Sequence, residues 1–168
     1  MKKTIVLVFI FSMLLHGCRM SYSFNGASID YTLTKTIALH QFLNQAPMVY
    51  ATTTQTFNEK MKDVFVRNTK LKITDVNPDL EIEGEITRYD TTPQAVKDDA
   101  YASLARLTMT VKMRYKNNKK PTEDKEETFT AYRDYDSSKT LSDVQEELDK
   151  QLAEEIVDQI FNATMSNW

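Results

Sequence analysis

Apolar positions along this chain follow two rhythms. Leu80, Ile82, Gly84 and Ile86 alternate with Glu81, Glu83, Glu85 and Thr87, and Leu107, Met109, Val111, Met113 and Tyr115 alternate with Thr108, Thr110, Lys112 and Arg114. A period of two predicts strands with one buried and one wetted face, as in antiparallel sheet. Glu127 to Tyr135 keeps the rhythm, with Phe129, Ala131, Arg133 and Tyr135 on one parity. Thr32 to Phe42, whose apolar members are Leu33, Ile37, Leu39 and Phe42, predicts a further strand closed off before Pro47, and Leu71–Thr74 a short one. The second rhythm is helical. Phe57, Met61, Val64 and Phe65 fall at i, i+4, i+7 and i+8, which predicts a helix over Thr53–Asn68 with Thr53 or Thr54 as its cap. Leu141, Val144, Leu148, Leu152, Ile156, Val157, Ile160 and Phe161 make a longer stripe, a helix from about Ser138 to Thr164. Asp90 to Ala105 reads as a long connection of the kind that carries function, and Lys116 to Lys125 as a polar turn around Pro121. Both element types bury one side. The order therefore predicts an α+β domain, two helices packed on one face of a mixed, roughly four-stranded sheet.

The first residues belong to neither rhythm. Lys2 and Lys3 precede Ile5–Leu15, eleven residues without a charge. That is far short of the roughly 20 needed to cross a bilayer, and it is the length of a signal-peptide core. The run ends in Leu15-His16-Gly17-Cys18, which resembles the bacterial lipobox, although His16 departs from the small or β-branched residue usual there. Residues 1–17 are expected to be a lipoprotein signal peptide, Cys18 the lipidated mature N-terminus, 18–28 a lipidated tether, and 29–168 a single domain. Attachment through Cys18 needs two or more acyl chains to be stable. Cys18 is the only cysteine, so no internal disulfide can form. Loss of Lys2 and Lys3 would take the formal net charge from −3 to −5, a balance that does not point to nucleic acid. No second apolar run of spanning length occurs, so the expected membrane contact is the lipid.

Catalytic signatures are sparse. After Cys18 the chain has one histidine, His40, and two glycines, Gly26 and Gly84. There is no His-x-x-x-His or Cys-x-x-Cys pair, no glycine-rich phosphate loop and no Gly-x-Ser-x-Gly elbow, so no metal, no cofactor and no enzymatic activity are expected. Glu81, Glu83 and Glu85 read as a solvated strand face, and Met109 and Met113 as core filling. Asn162-Ala-Thr164 matches a glycosylation sequon that has little meaning behind a lipobox. A lipid-anchored hydrolase would need an activated nucleophile or base in a cleft. A pilot or accessory lipoprotein of another envelope machine, such as a secretion pore, would share the lipobox and the small α/β domain.

Taken as a whole the chain resembles LptE, the lipopolysaccharide-assembly lipoprotein family of the outer membrane, in a divergent branch. The resemblance runs through Tyr22-Ser-Phe-Asn-Gly-Ala, Gln55-Thr-Phe-Asn-Glu, Leu80-Glu-Ile-Glu-Gly-Glu-Ile, Leu107-Thr-Met-Thr-Val and Ile156-Val-Asp-Gln-Ile-Phe-Asn-Ala-Thr. It implies two helices on a four-stranded sheet, and a non-enzymatic protein that plugs and helps assemble the LptD-type β-barrel for lipopolysaccharide insertion at the cell surface. It also implies attachment at the periplasmic face of the outer membrane, and Arg19 after the lipidated cysteine, where an Asp would favour the inner membrane, is compatible with that. Lipid A carries phosphates, which Arg and Lys hold by charge-assisted hydrogen bonds. Arg88, Lys97 and Arg106 lie at or in the loop where the family places basic glycolipid contacts; Lys112, Arg114 and Lys139 are further candidates. Each also has a plainer reading as a solvated surface charge.

Overall fold

The computed structural model describes residues 29–48, 50–94 and 103–165. In chain order its elements are β1 (Thr36–Leu39), β2 (Leu43–Asn44), α1 (Ala51–Asn68), β3 (Lys72–Ile73), β4 (Leu80–Gln94), β5 (Leu104–Asn117), a 3-10 turn (Pro121–Glu123), β6 (Lys125–Asp136) and α2 (Leu141–Met165). The sheet runs β3-β1-β4-β5-β6, and β2 continues beside β4. β1 lies parallel to β3 and β4, β2 lies parallel to β4, and β4, β5 and β6 form an antiparallel meander. The expected α+β architecture is present. The sheet has six strands where about four were expected, and two of the six are only two residues long.

The strand expected over Thr32–Phe42 is instead a turn followed by two short pieces. Asp30 accepts a hydrogen bond from the Thr32 amide at 2.9 Å, an Asx turn that delays the strand to Thr36. Leu39 then pairs with Ile82 but Leu43 with Glu85, so three residues face two and the chain bulges at His40–Phe42. The bulge swings Phe42 into the core, its ring 5.2 Å from that of Phe57. Asn58 of α1 holds it there: the Phe42 amide donates to Asn58 Oδ1 at 2.8 Å, and Asn58 Nδ2 donates to the Phe42 carbonyl at 3.0 Å. A helix side chain thus stands in for the missing strand partner. Below the ring lies Gly84, where a Cβ would overlap both Phe42 and the Lys112 carbonyl oxygen.

A second irregularity lies in β4, whose register shifts between Ile86 and Arg88. Leu80, Ile82 and Ile86 point into the core as the alternation predicts; just beyond the shift it is the odd position Tyr89 that is fully buried. The strands also run past their expected ends. Pairs from Asp90 opposite Thr108 to Gln94 opposite Leu104 consume much of the connection expected from Asp90 to Ala105.

The helices cover the apolar face. All four residues of the α1 stripe are buried, as are Leu148, Leu152, Ile156, Val157, Ile160 and Phe161 of α2; Phe65 and Phe161 meet edge-on at 5.3 Å. Burying an aliphatic side chain such as Leu152 or Ile156 contributes about 1.5–3 kcal/mol. α1 begins at Ala51 with Tyr50 at its cap position and no side-chain cap bond, so neither Thr53 nor Thr54 caps it. α2 starts at Leu141. There the Thr140 amide and hydroxyl both donate to Asp143 Oδ2, at 3.0 and 2.6 Å, an arrangement like a capping box.

Candidate functional site

The sheet face away from the helices is charged and open. Register alone organises it: Glu81 lies opposite Lys116, Glu83 opposite Arg114 and Glu85 opposite Lys112, while across β5 Arg114 meets Glu126 and Arg106 meets Asp134. The result is a basic row on β5 between acidic positions on β4 and β6. Lys112 Nζ sits 2.7 Å from Glu126 Oε1. Arg114 donates to Glu83 at 2.9 Å and reaches Glu126 at 3.3 Å. Arg106 binds Asp134 through two bonds, at 2.7 and 2.8 Å, and its guanidinium lies 3.8 Å from the centre of the Tyr132 ring. Arg88 Nε donates to both carboxylate oxygens of Asp90, at 3.0 and 2.9 Å.

These contacts set the charges. Hydrogen bonds from Arg106 hold the Asp134 carboxyl below its ordinary range, and bonds from Lys112 and then Arg114 do the same for Glu126. Asp134 in turn raises Arg106, and Glu126 with Glu83 raises Arg114. An arriving phosphate would therefore compete with a carboxylate already in place. In the open, such pairs are weakened by salt and exchange readily.

Of the basic residues expected to contact glycolipid, Lys112 and Arg114 share Glu126; Arg106 lies higher on β5, and Arg88 stands on β4 opposite Thr110, between those two levels. Lys139 is apart from them, in the turn after β6, and makes no ion pair among the described residues. Lys97 and Cys18 lie outside the described residues, as do the signal segment and the tether.

Beside α1 the β1–β2 edge leaves an open groove of about 910 Å³, with Leu39, Leu43, Met61 and Ile73 among its apolar lining and the amides of Gln41, Gln45 and Gln55 among its polar lining. His40 at its rim leans toward Glu81, 3.5 Å away. Among the described residues there is no cluster of three acidic, histidine or cysteine side chains suited to a metal, and no helix long and apolar enough to cross a membrane.

The family profile described as LptE, lipopolysaccharide-assembly, matches residues 34–164, which is nearly the whole of this domain. The chain belongs to the LptE family. Lipopolysaccharide assembly is accordingly the process this LptE domain serves. No curated protein matches it by sequence. Among solved structures it is similar to a protein from Xanthomonas campestris, with 12% identity, 79% of this chain and 84% of that one covered, and a TM-score of 0.53. The hypothetical protein CT253 from Chlamydia trachomatis aligns at 10% identity over 77% and 97% of the two chains, with a TM-score of 0.50. At these identities the likeness is one of fold. Rare lipoprotein B from Shewanella oneidensis aligns at 18% identity over 75% and 92%, with a TM-score of 0.49.

Two features of this LptE domain escape sequence reasoning. The acids that occupy the basic row, Glu126 and Asp134, become partners only once the β5–β6 register is known. The other is a buried carboxylate. Asp149 of α2, 2% exposed, accepts hydrogen bonds from Thr53 Oγ1 at 2.5 Å and from the Tyr89 hydroxyl at 2.7 Å. Its only sequence signal is a position one residue past Leu148, at the margin of the apolar stripe.

Proposed function

We propose that this LptE-family chain is a non-enzymatic lipoprotein, anchored through Cys18 at the periplasmic face of the outer membrane, that plugs and helps assemble an LptD-type β-barrel for lipopolysaccharide insertion. The observation that carries the reading is the family match across residues 34–164, which spans both helices and all six strands. The short apolar leader ending at Cys18 supports the anchor, and the open charged face supplies a surface for a barrel wall or a glycolipid. In this reading Arg88, Lys97, Arg106, Lys112, Arg114 and Lys139 contact glycolipid phosphate. The described strand residues among them do so by exchanging a carboxylate partner for a phosphate, and Lys139 does so without displacing one. Some contact with the barrel would hold the protein even without its lipid.

The test is affinity capture of a C-terminally tagged chain from detergent-solubilised outer membrane, followed by mass spectrometry. Stoichiometric recovery of one large β-barrel of the LptD type supports the reading; recovery of a secretion pore, or of no barrel, overturns it. Cys18→Ala is expected to abolish incorporation of labelled palmitate and sedimentation with membranes, while part of the barrel capture survives.

A further inference from the structure

The carboxylate of Asp149 is in an unusual position for a charge. It lies between the first turn of α1, the inward-turned part of β4 just past the register shift, and α2 itself, and among the described residues it touches no cation. From α1 it meets Thr53, which also accepts a bond from Gln145 Nε2 of α2 at 3.3 Å. From β4 it meets Tyr89, whose ring is in turn met edge-on by Tyr50 at 5.7 Å. The charged groups next in sequence to Asp149 and Tyr89 are engaged elsewhere: Lys150 pairs with Glu146, and Arg88 pairs with Asp90 on the opposite sheet face. A buried carboxylate without a cation retains its charge only as far as its hydrogen bonds offset the loss of water. Here the Thr53 and Tyr89 hydroxyls do most of that work, with the Gln145 amide beside them.

We propose that Asp149 is a proton-operated latch that fastens the first turn of α1 to β4 through Thr53 and Tyr89, tightening when its carboxyl is protonated and loosening when it ionises. In the protonated state the carboxyl is neutral. It still accepts from the Tyr89 hydroxyl, and it donates its own proton to Thr53 Oγ1, so no buried charge remains. In the ionised state both hydroxyls must donate inward and the charge is unneutralised. Burial raises the Asp149 carboxyl above its ordinary value, while Thr53, Tyr89 and Gln145 pull it back down, the direction the geometry requires. Burial and the neighbouring carboxylate likewise push the Tyr89 phenol well above its usual range, so Tyr89 remains a donor throughout.

The sign follows from linkage. A group whose folded value exceeds its unfolded value, about 3.9 for an aspartate, stabilises fully below the unfolded value. That contribution is lost as pH rises through the folded value, and each unit of separation is tenfold in the folding constant. The experiment uses the full chain in non-ionic detergent and compares urea unfolding of wild type and Asp149→Asn from pH 4 to pH 8. The difference between them isolates Asp149 from the other carboxylates. It is expected to favour wild type progressively as pH falls and to level off near pH 4. Tyr89→Phe removes one donor to the ionised form, so it should move the pH at which the wild-type advantage appears upward. A difference that does not change with pH, or one that favours wild type only as pH rises, overturns the proposal, as does a Tyr89→Phe variant whose profile does not move.

Discussion

Truncating Asn58 to alanine tests whether one helix side chain holds the bulge between β1 and β2. It removes both hydrogen bonds to the bulge, 2.8 Å from the Phe42 amide and 3.0 Å to the Phe42 carbonyl, along with a 2.8 Å bond within the helix from Asn58 Nδ2 to the Thr54 carbonyl, which keeps its backbone role. Each bond to the bulge is worth about 1 kcal/mol net, and a buried group left without a partner adds a further penalty of about 1 kcal/mol. Alanine recovers about 0.6 kcal/mol through its better helix propensity. The balance is a loss of roughly 2 kcal/mol. For a domain of this size that lowers the melting temperature by roughly 6 °C. Calorimetry measures the loss, and amide exchange at Phe42 and Leu43 shows where it falls, because the Phe42 amide loses its acceptor. Gln55→Ala, one turn away, is the control: Gln55 is exposed and bonds only Glu59 of its own helix, at 2.8 Å, so it should change stability by less than about 0.5 kcal/mol. An Asn58→Ala protein that melts with wild type and keeps Phe42 amide protection would refute the reasoning.

Gly84→Ala should destabilise by about 1–3 kcal/mol in urea unfolding, because its Cβ meets the Phe42 ring and the Lys112 carbonyl. Adding Phe42→Leu should recover only the part due to the ring. Asp79 accepts from the Lys35 and Thr36 amides at 2.8 and 3.1 Å, and Lys119 lies 2.9 Å away; these bonds lower its carboxyl to about 2. Its contribution is therefore present above the unfolded value near 3.9 and lost as pH falls toward 2. The stability gap between wild type and Asp79→Asn should stay level above about pH 5 and close below pH 4, as read from urea midpoints. Arg106→Glu should leave the fold intact by circular dichroism. It should weaken binding of labelled lipopolysaccharide roughly tenfold, the equivalent of one charge-assisted contact; unchanged binding removes Arg106 from the glycolipid surface.

Much of this architecture can be read from the chain because its alternation is strict. Leu107 to Tyr115 point inward as their parity requires, and Met109 and Met113 are core residues. The reading fails where backbone geometry departs from a regular period. The alternation along β4 is read only as far as Thr87, and continuing it would put Tyr89 on the wetted face, since nothing in Ile86-Thr87-Arg88 announces the register shift that buries it. Thr91-Thr92-Pro93 has the look of a loop, yet pairing with β5 keeps it in the sheet. The end of α1 was legible and its start was not, because Thr53 is a good capping residue whose hydroxyl goes to Asp149. At the charged face the basic residues are visible in sequence. Their occupancy by Glu126, Asp134 and Asp90 depends on which strand lies beside which, and that is a property of the sheet.

The register shift at Thr87 also marks a change in width. Up to Ile86, β4 is flanked by β1 and β2 on one side and β5 on the other; from Arg88 to Gln94, among the described residues, it is paired only with β5. Seven residues at about 3.3 Å each make an overhang of roughly 23 Å. This part is a three-strand blade, and α2 lies along its inner face: Leu107, opposite Thr91 and Arg133, is fully buried, and Arg133 reaches Gln151 at 3.1 Å and Glu155 at 2.6 Å. Where the sheet loses the β1–β2 flank, the helix takes over as brace, so the blade is placed by helix-to-sheet contacts, Tyr89 on Asp149 and Arg133 on Glu155, more than by strand pairing at its open edge.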